Sequence, residues 1–92
     1  MDDKANLAKV LAGIDSISEM EKFLMDLCTR SELKAMKERW KVCQLLSDNK
    51  LSYREIHKLT NASLTTIGRV ARFLRDEPHG GYRETLKNIR IE

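Results

Sequence analysis

Residues 51–75 read LSYREIHKLTNASLTTIGRVARFLR, and this stretch decides the fold. Ser52 with Glu55 three residues on is a capping box, in which each side chain satisfies an orphan N–H of a first helical turn. Ile56 and Leu59 then set an apolar stripe, which Thr60-Asn61-Ala62-Ser63 breaks. Asparagine tolerates the left-handed conformation that such a turn often needs. Ser63 is placed to cap a second helix. On that helix Ile67, Val70 and Leu74 fall at i, i+3 and i+7 and are expected to face inward. Thr65, Arg69 and Arg72 recur at the same spacing on another face. A helix, a tight turn and a second helix with a polar, basic outer face suit a helix-turn-helix that lays its second helix in a DNA major groove.

Working outward, Thr29 with Glu32 makes another capping box. It opens a long helix to about Leu46, lined at helical spacing by Leu33, Met36, Trp40, Cys43 and Leu46. Ser47-Asp48-Asn49-Lys50 reads as a polar turn. Earlier still, residues 4–14 carry Leu7, Val10, Leu11 and Ile14 on one stripe, and residues 17–27 carry Ile17, Met20, Leu24 and Leu27. Past the motif, Pro78 and Gly80-Gly81 predict a helix end near Asp76. A last short helix is expected over about 82–89. No stretch alternates apolar and polar residues for long, so the chain is expected to be all-α, with five or six helices.

Ninety-two residues make one domain at most. The expected layout is a single domain over 1–92, with dimerisation helices at about 4–46 and the helix-turn-helix at about 52–76. A compact three-helix unit has little room to cover both N-terminal stripes. A second copy that interlocks its own N-terminal helices is the economical cover; a monomer with those helices folded back is the alternative.

The net charge of +3 hides a segregation. Residues 1–28 hold three basic and six acidic side chains, whereas residues 29–75 hold eleven basic and four acidic. A polyanion is therefore attracted to the middle of the chain, where the helix-turn-helix lies. No basic start followed by an apolar run marks a signal peptide, and no stretch is long enough for a membrane span. Cys28 and Cys43 lie without a CxxC pair or a histidine at ligand spacing, so no metal site is expected. They read as reduced core residues of a cytoplasmic protein. His57 and His79 have no nucleophile at useful spacing, and Ser52 and Ser63 are explained as caps. No glycine-rich loop precedes a helix. No catalytic constellation and no cofactor are expected, so the chain is not read as an enzyme.

The words Leu51-Ser52-Tyr53-Arg54-Glu55-Ile56 and Ala62-Ser63-Leu64-Thr65-Thr66-Ile67, followed by Arg69, resemble the Trp repressor superfamily, especially its YerC/YecD-type branch. Thr29, Glu32, Ala35, Arg39 and Leu46 fit the same register. The resemblance runs ungapped from about Leu27 to Leu74. It implies a six-helix chain, an intertwined homodimer, and a fourth and fifth helix that read palindromic operator DNA to repress transcription. Carried over by position, Arg54 holds a phosphate, and Leu64, Thr65 and Thr66 face base edges. Tyr53, His57, Ser63 and Gly68 occupy contact positions with residue types that depart from the repressor's, so a different base sequence is implied.

The same resemblance implies a remnant of a co-repressor pocket. Arg39 and Arg69 match the two arginines that sandwich an indole ring, and Thr29 matches a ligand contact made from the other subunit. Val70 and Phe73 stand where the family has glycine and serine. Both are larger, and Phe73 is placed to occupy the space of an indole. Tryptophan is therefore not expected as co-repressor, with Phe73 either a built-in substitute or plain core. Arg69 has four readings: a base contact, a hold on a small anion, a cation packed over an aromatic ring, or an exposed side chain. Arg72 and Arg75 add phosphate attraction or only surface charge. Arg54 has a surface pair with Glu55 or Glu38 as its alternative. Three functions stay open: a ligand-independent repressor, a repressor with an unidentified small-molecule effector, and a helical protein-interaction module without DNA binding.

Overall fold

A computed structural model describes residues 6–89, which form six helices and, within that span, no strand. They are α1 (Leu7–Gly13), α2 (Ile17–Leu27), α3 (Arg30–Asp48), α4 (Tyr53–Thr60), α5 (Leu64–Arg75) and α6 (Gly81–Ile89). The chain falls into two compact units, one ending at Lys34 and one beginning at Ala35.

In the first unit, local capping sets the helix starts. Asn6 accepts from the Lys9 N–H at 3.2 Å to begin α1, and Ser16 accepts from the Glu19 N–H at 3.2 Å to begin α2. Thr29 and Glu32 form the expected reciprocal box at the start of α3, with the Thr29 N–H donating to Glu32 Oε1 at 2.7 Å. The apolar stripes of α1 and α2 exist, but neither helix has a buried residue. Ile17 is 81% exposed and Met25 71%. Residues 4 and 5, where the expected first helical stretch begins, lie outside the described residues. Cys28, expected in the core, is only half-buried and is the residue that ends α2.

The second unit is built around α5. Its core is Val42, Cys43 and Leu46 of α3, Ile56 of α4, Ala62 of the turn, and Ile67, Val70, Ala71 and Leu74 of α5. Tyr82 and Leu86 of α6 pack against it. The inward trio expected on α5 is therefore in place. On α3, Met36 stays exposed and Trp40 is only half-buried. The expected stripe on α4 is cut to one residue: Ile56 is fully buried, but Leu59 is 66% exposed. α3 also runs through Asp48, beyond its expected end, and Asn49 turns the chain with a φ of 56°.

The far end of α5 is held from outside. The Asp76 N–H closes on the Arg72 carbonyl at 2.8 Å. Arg83 of α6 donates to the Leu74 carbonyl at 2.8 Å and to the Glu77 carbonyl at 3.4 Å. A cation at a helix C-terminus satisfies orphan carbonyls and opposes the helix dipole. Gly80 allows the return, with a φ of 72°.

Candidate nucleic-acid interface

Five short-range hydrogen bonds hold α4 and the α4–α5 turn. Ser52 accepts from the Glu55 N–H at 3.1 Å, and the Ser52 N–H donates to Glu55 Oε1 at 2.7 Å, so the capping box is complete. Hydrogen bonding by the Ser52 N–H, and then by its side chain, lowers the titration of the Glu55 carboxyl from its ordinary value. Thr60 Oγ1 donates to the Ile56 carbonyl at 2.8 Å and accepts from the Ala62 N–H at 3.1 Å. Asn61 takes the left-handed conformation at φ 64°, which seats Ala62 fully in the core. Finally, His57 Nδ1 lies 2.7 Å from the Ala62 carbonyl. α5 thus begins from a corner closed by these bonds.

Ser63 caps α5 by accepting from the Thr66 N–H at 3.0 Å, and its hydroxyl donates to Thr66 Oγ1 at 3.0 Å. That bond occupies one lone pair of the Thr66 hydroxyl and leaves its proton to donate elsewhere. Around this start, Tyr53, Arg54, His57, Ser63, Leu64, Thr65 and Gly68 are all exposed, and Thr66 is half-buried. A Cβ at Gly68 would meet nothing within 4 Å, so packing inside this chain does not require glycine there. Among the described residues no ion pair holds Arg54, and Glu55 is committed to its cap. The surface pair weighed for Arg54 is therefore not what the structure shows. Arg72 is less free, because its Nε sits 3.5 Å from Glu77 Oε2.

Arg69 turns towards Phe73. Its guanidinium carbon lies 4.3 Å from the ring centroid, and that of Arg72 lies 5.1 Å away. Both fall within cation–π range. His79 stacks on Phe73 at 5.9 Å and 11°. Sequence spacing alone points to the Arg69–Phe73 pair, since i and i+4 share a helix face. His79 has no such signal, because the turn at residues 76–80 brings it back. The same groups border a cavity of about 390 Å³, lined also by Trp40, Val70, Gly81, Tyr82 and Thr85. Trp40 and Tyr82 stand 6.4 Å apart on its wall.

Of the co-repressor positions, Arg69, Val70 and Phe73 come together at this cavity. Arg39 is half-buried on α3 and does not line it. Thr29 belongs to the first unit, where its side chain is spent on the α3 cap. Burial pushes the Cys43 thiol up to about 11, so that sulfur is an inert packing group. Among the described residues no cluster of three His, Cys, Asp or Glu is placed to hold a metal, and no helix is long and apolar enough to cross a membrane.

Fold and corner together define an all-α helix-turn-helix protein. The family model for the Trp repressor protein matches residues 4–90, and the chain belongs to that family, one of DNA-binding regulators. The uncharacterized protein YerC of Bacillus subtilis (strain 168) is 33% identical over 64 residues, which cover 70% of this chain and 61% of YerC. The chain therefore spans under two thirds of that relative's length.

Proposed function

We propose that this chain is a sequence-specific transcription regulator, a repressor in mode, that binds palindromic operator DNA as a cytoplasmic homodimer without tryptophan. The observation that carries this reading is the α4–α5 corner. A capped turn leaves Arg54, Thr65 and Gly68 exposed at and just beyond it, with Arg54 unpaired among the described residues. Arg54 holds a phosphate, and Leu64, Thr65 and Thr66 meet base edges, with Tyr53, His57 and Ser63 around them. Two such corners, one per protomer, enter successive major grooves about 34 Å apart. The unburied stripes of α1 and α2 supply the dimer surface, since both helices need cover that their own unit does not provide. The single-domain layout, with dimerisation helices at about 4–46 and reading helices at 52–76, goes with this.

Independence from tryptophan is supported by the Phe73 ring. Arg69, which matches an indole-sandwiching arginine, already lies on an aromatic ring of its own chain. The test is selection of genomic fragments by the purified protein without ligand, beside an Arg54→Ala/Thr65→Ala variant. Enrichment of a palindrome, lost in the variant, is the expected result. Enrichment that survives the double change, or none at all, rejects the proposal. One observation favours a second reading, a regulator with a small-molecule effector: the cavity beside Phe73 stays open at about 390 Å³. A melting-point rise on adding a metabolite pool, with DNA selection only in its presence, marks that case.

A further inference from the structure

His57 has one nitrogen in use and one unused. Nδ1 lies 2.7 Å from the Ala62 carbonyl, inside the corner that starts α5. A carbonyl oxygen only accepts, so Nδ1 must carry the proton of that bond. The neutral ring is thereby held in one tautomer, with a bare lone pair on Nε2. No described residue bonds Nε2, and the side chain is exposed. Nε2 therefore has two states towards DNA. Bare, it only accepts, and phosphate oxygens also only accept, so the two repel. Protonated, it donates a charge-assisted bond while Nδ1 keeps its own.

We propose that His57 is a proton-linked phosphate contact of the helix-turn-helix, locked by Ala62 so that only Nε2 titrates, and that DNA binding takes up a proton there. This rests on the DNA-binding reading above. The surroundings favour a phosphate partner over a base amino group. On α4, Arg54 and Lys58 flank His57, the Tyr53 phenol lies one turn back, and the Glu55 carboxylate is held in the Ser52 cap. From α5, no charged side chain occurs before Arg69. The cations gather polyanion, and a phosphate then supplies the negative charge that an imidazolium needs. Imidazole is the side chain whose ordinary titration falls between about pH 5 and 8, so the contact responds to conditions that leave Arg54 unchanged. The sign follows from linkage. The complex holds the proton more tightly than the free protein does, so the contact is present in full at low pH and lost as pH rises through the titration of the complex.

The test uses the full chain and a random-sequence DNA duplex, because phosphate contacts do not depend on sequence. Affinity is measured at about pH 6 and pH 8 at constant ionic strength, for the wild type, His57→Lys, His57→Gln and a His79→Gln control. The wild type and the His79 variant should weaken by about tenfold across that range, the scale of one hydrogen bond to a charged group. His57→Lys should stay flat near the low-pH affinity, and His57→Gln flat near the high-pH one. A wild-type pH response that persists in both His57 variants overturns the proposal. So does a nitrogen NMR spectrum of the free protein at high pH that puts the proton on Nε2; that readout needs no DNA and stands even if His57→Gln fails to fold. Absence of duplex binding at either pH removes the DNA-binding reading itself and this contact with it, whereas binding without pH response removes only the latter.

Discussion

If Phe73 replaces a ligand ring under Arg69, the two side chains must be energetically coupled. A double-mutant cycle of Phe73→Leu and Arg69→Met measures that coupling, since leucine keeps apolar bulk without the π face and methionine keeps the stem without the charge. The guanidinium stands 4.3 Å from the centroid, well inside the roughly 6 Å limit. Arg69 is exposed and Phe73 half-buried, so the coupling belongs at the weaker end, about 0.5–1 kcal/mol. Arg72 at 5.1 Å remains on the ring in the Arg69 variant, which keeps the measured value from rising. Phe73→Leu alone should cost more, about 1–2 kcal/mol, because it also removes the His79 stack and part of the cavity wall. Urea unfolding at one fixed protein concentration gives all four free energies, the fixed concentration being needed if the chain dimerises. A coupling indistinguishable from zero would show that Arg69 is a loose arm over the ring, and the built-in substitute would lose its physical basis.

Three further outcomes are expected. Gly68→Ala should stabilise the fold by about 0.5–1 kcal/mol in thermal melts, because an alanine there meets nothing and improves helix propensity, yet weaken DNA binding by blocking close backbone approach; unchanged DNA affinity would take Gly68 out of the interface. Acidification should cost the wild type more melting temperature than Ser52→Ala, because the lowered Glu55 titration means its cap stabilises above the usual carboxylate value and is lost as pH falls through the folded one; parallel curves would deny the link. Ile17→Lys with Met25→Lys should leave helix content intact but halve the mass seen by sedimentation, since both side chains are exposed within their own chain and the proposed dimer would cover them; an unchanged mass would move the interface elsewhere.

What could be read from the sequence is local in origin. Ser52–Glu55 and Thr29–Glu32 are capping boxes whose partners lie three residues apart, so nothing beyond one helical turn decides them. Asn61 is similar, because its left-handed φ follows from the break between two stripes. The misreadings concern where neighbours end. Leu59 follows Ile56 at helical spacing, but α4 has only eight residues and meets the core through Ile56 alone. Periodicity gives the direction of a face, not the extent of what packs on it. Arg83 was not legible at all: it reaches Leu74 across nine residues and a turn at Gly80, a geometry no pattern in the chain encodes. His79 on Phe73 has the same cause.

The two ends of α5 are therefore held by different means, and this bears on how the proposed ligand-independent reader would keep its shape. The first turn is fixed by contacts of Ser63, Thr60 and His57, all within the corner. The last turn depends on α6, through Arg83 on the Leu74 carbonyl and Tyr82 beside Trp40. Between them Phe73 gathers Arg69, Arg72 and His79. A helix aimed by an external ring changes its aim when that ring leaves. In the proposed reading that ring is Phe73, covalently part of α5, so no dissociation step would release it, and control of DNA binding through this site would have to act on the cavity wall or on charge at the corner.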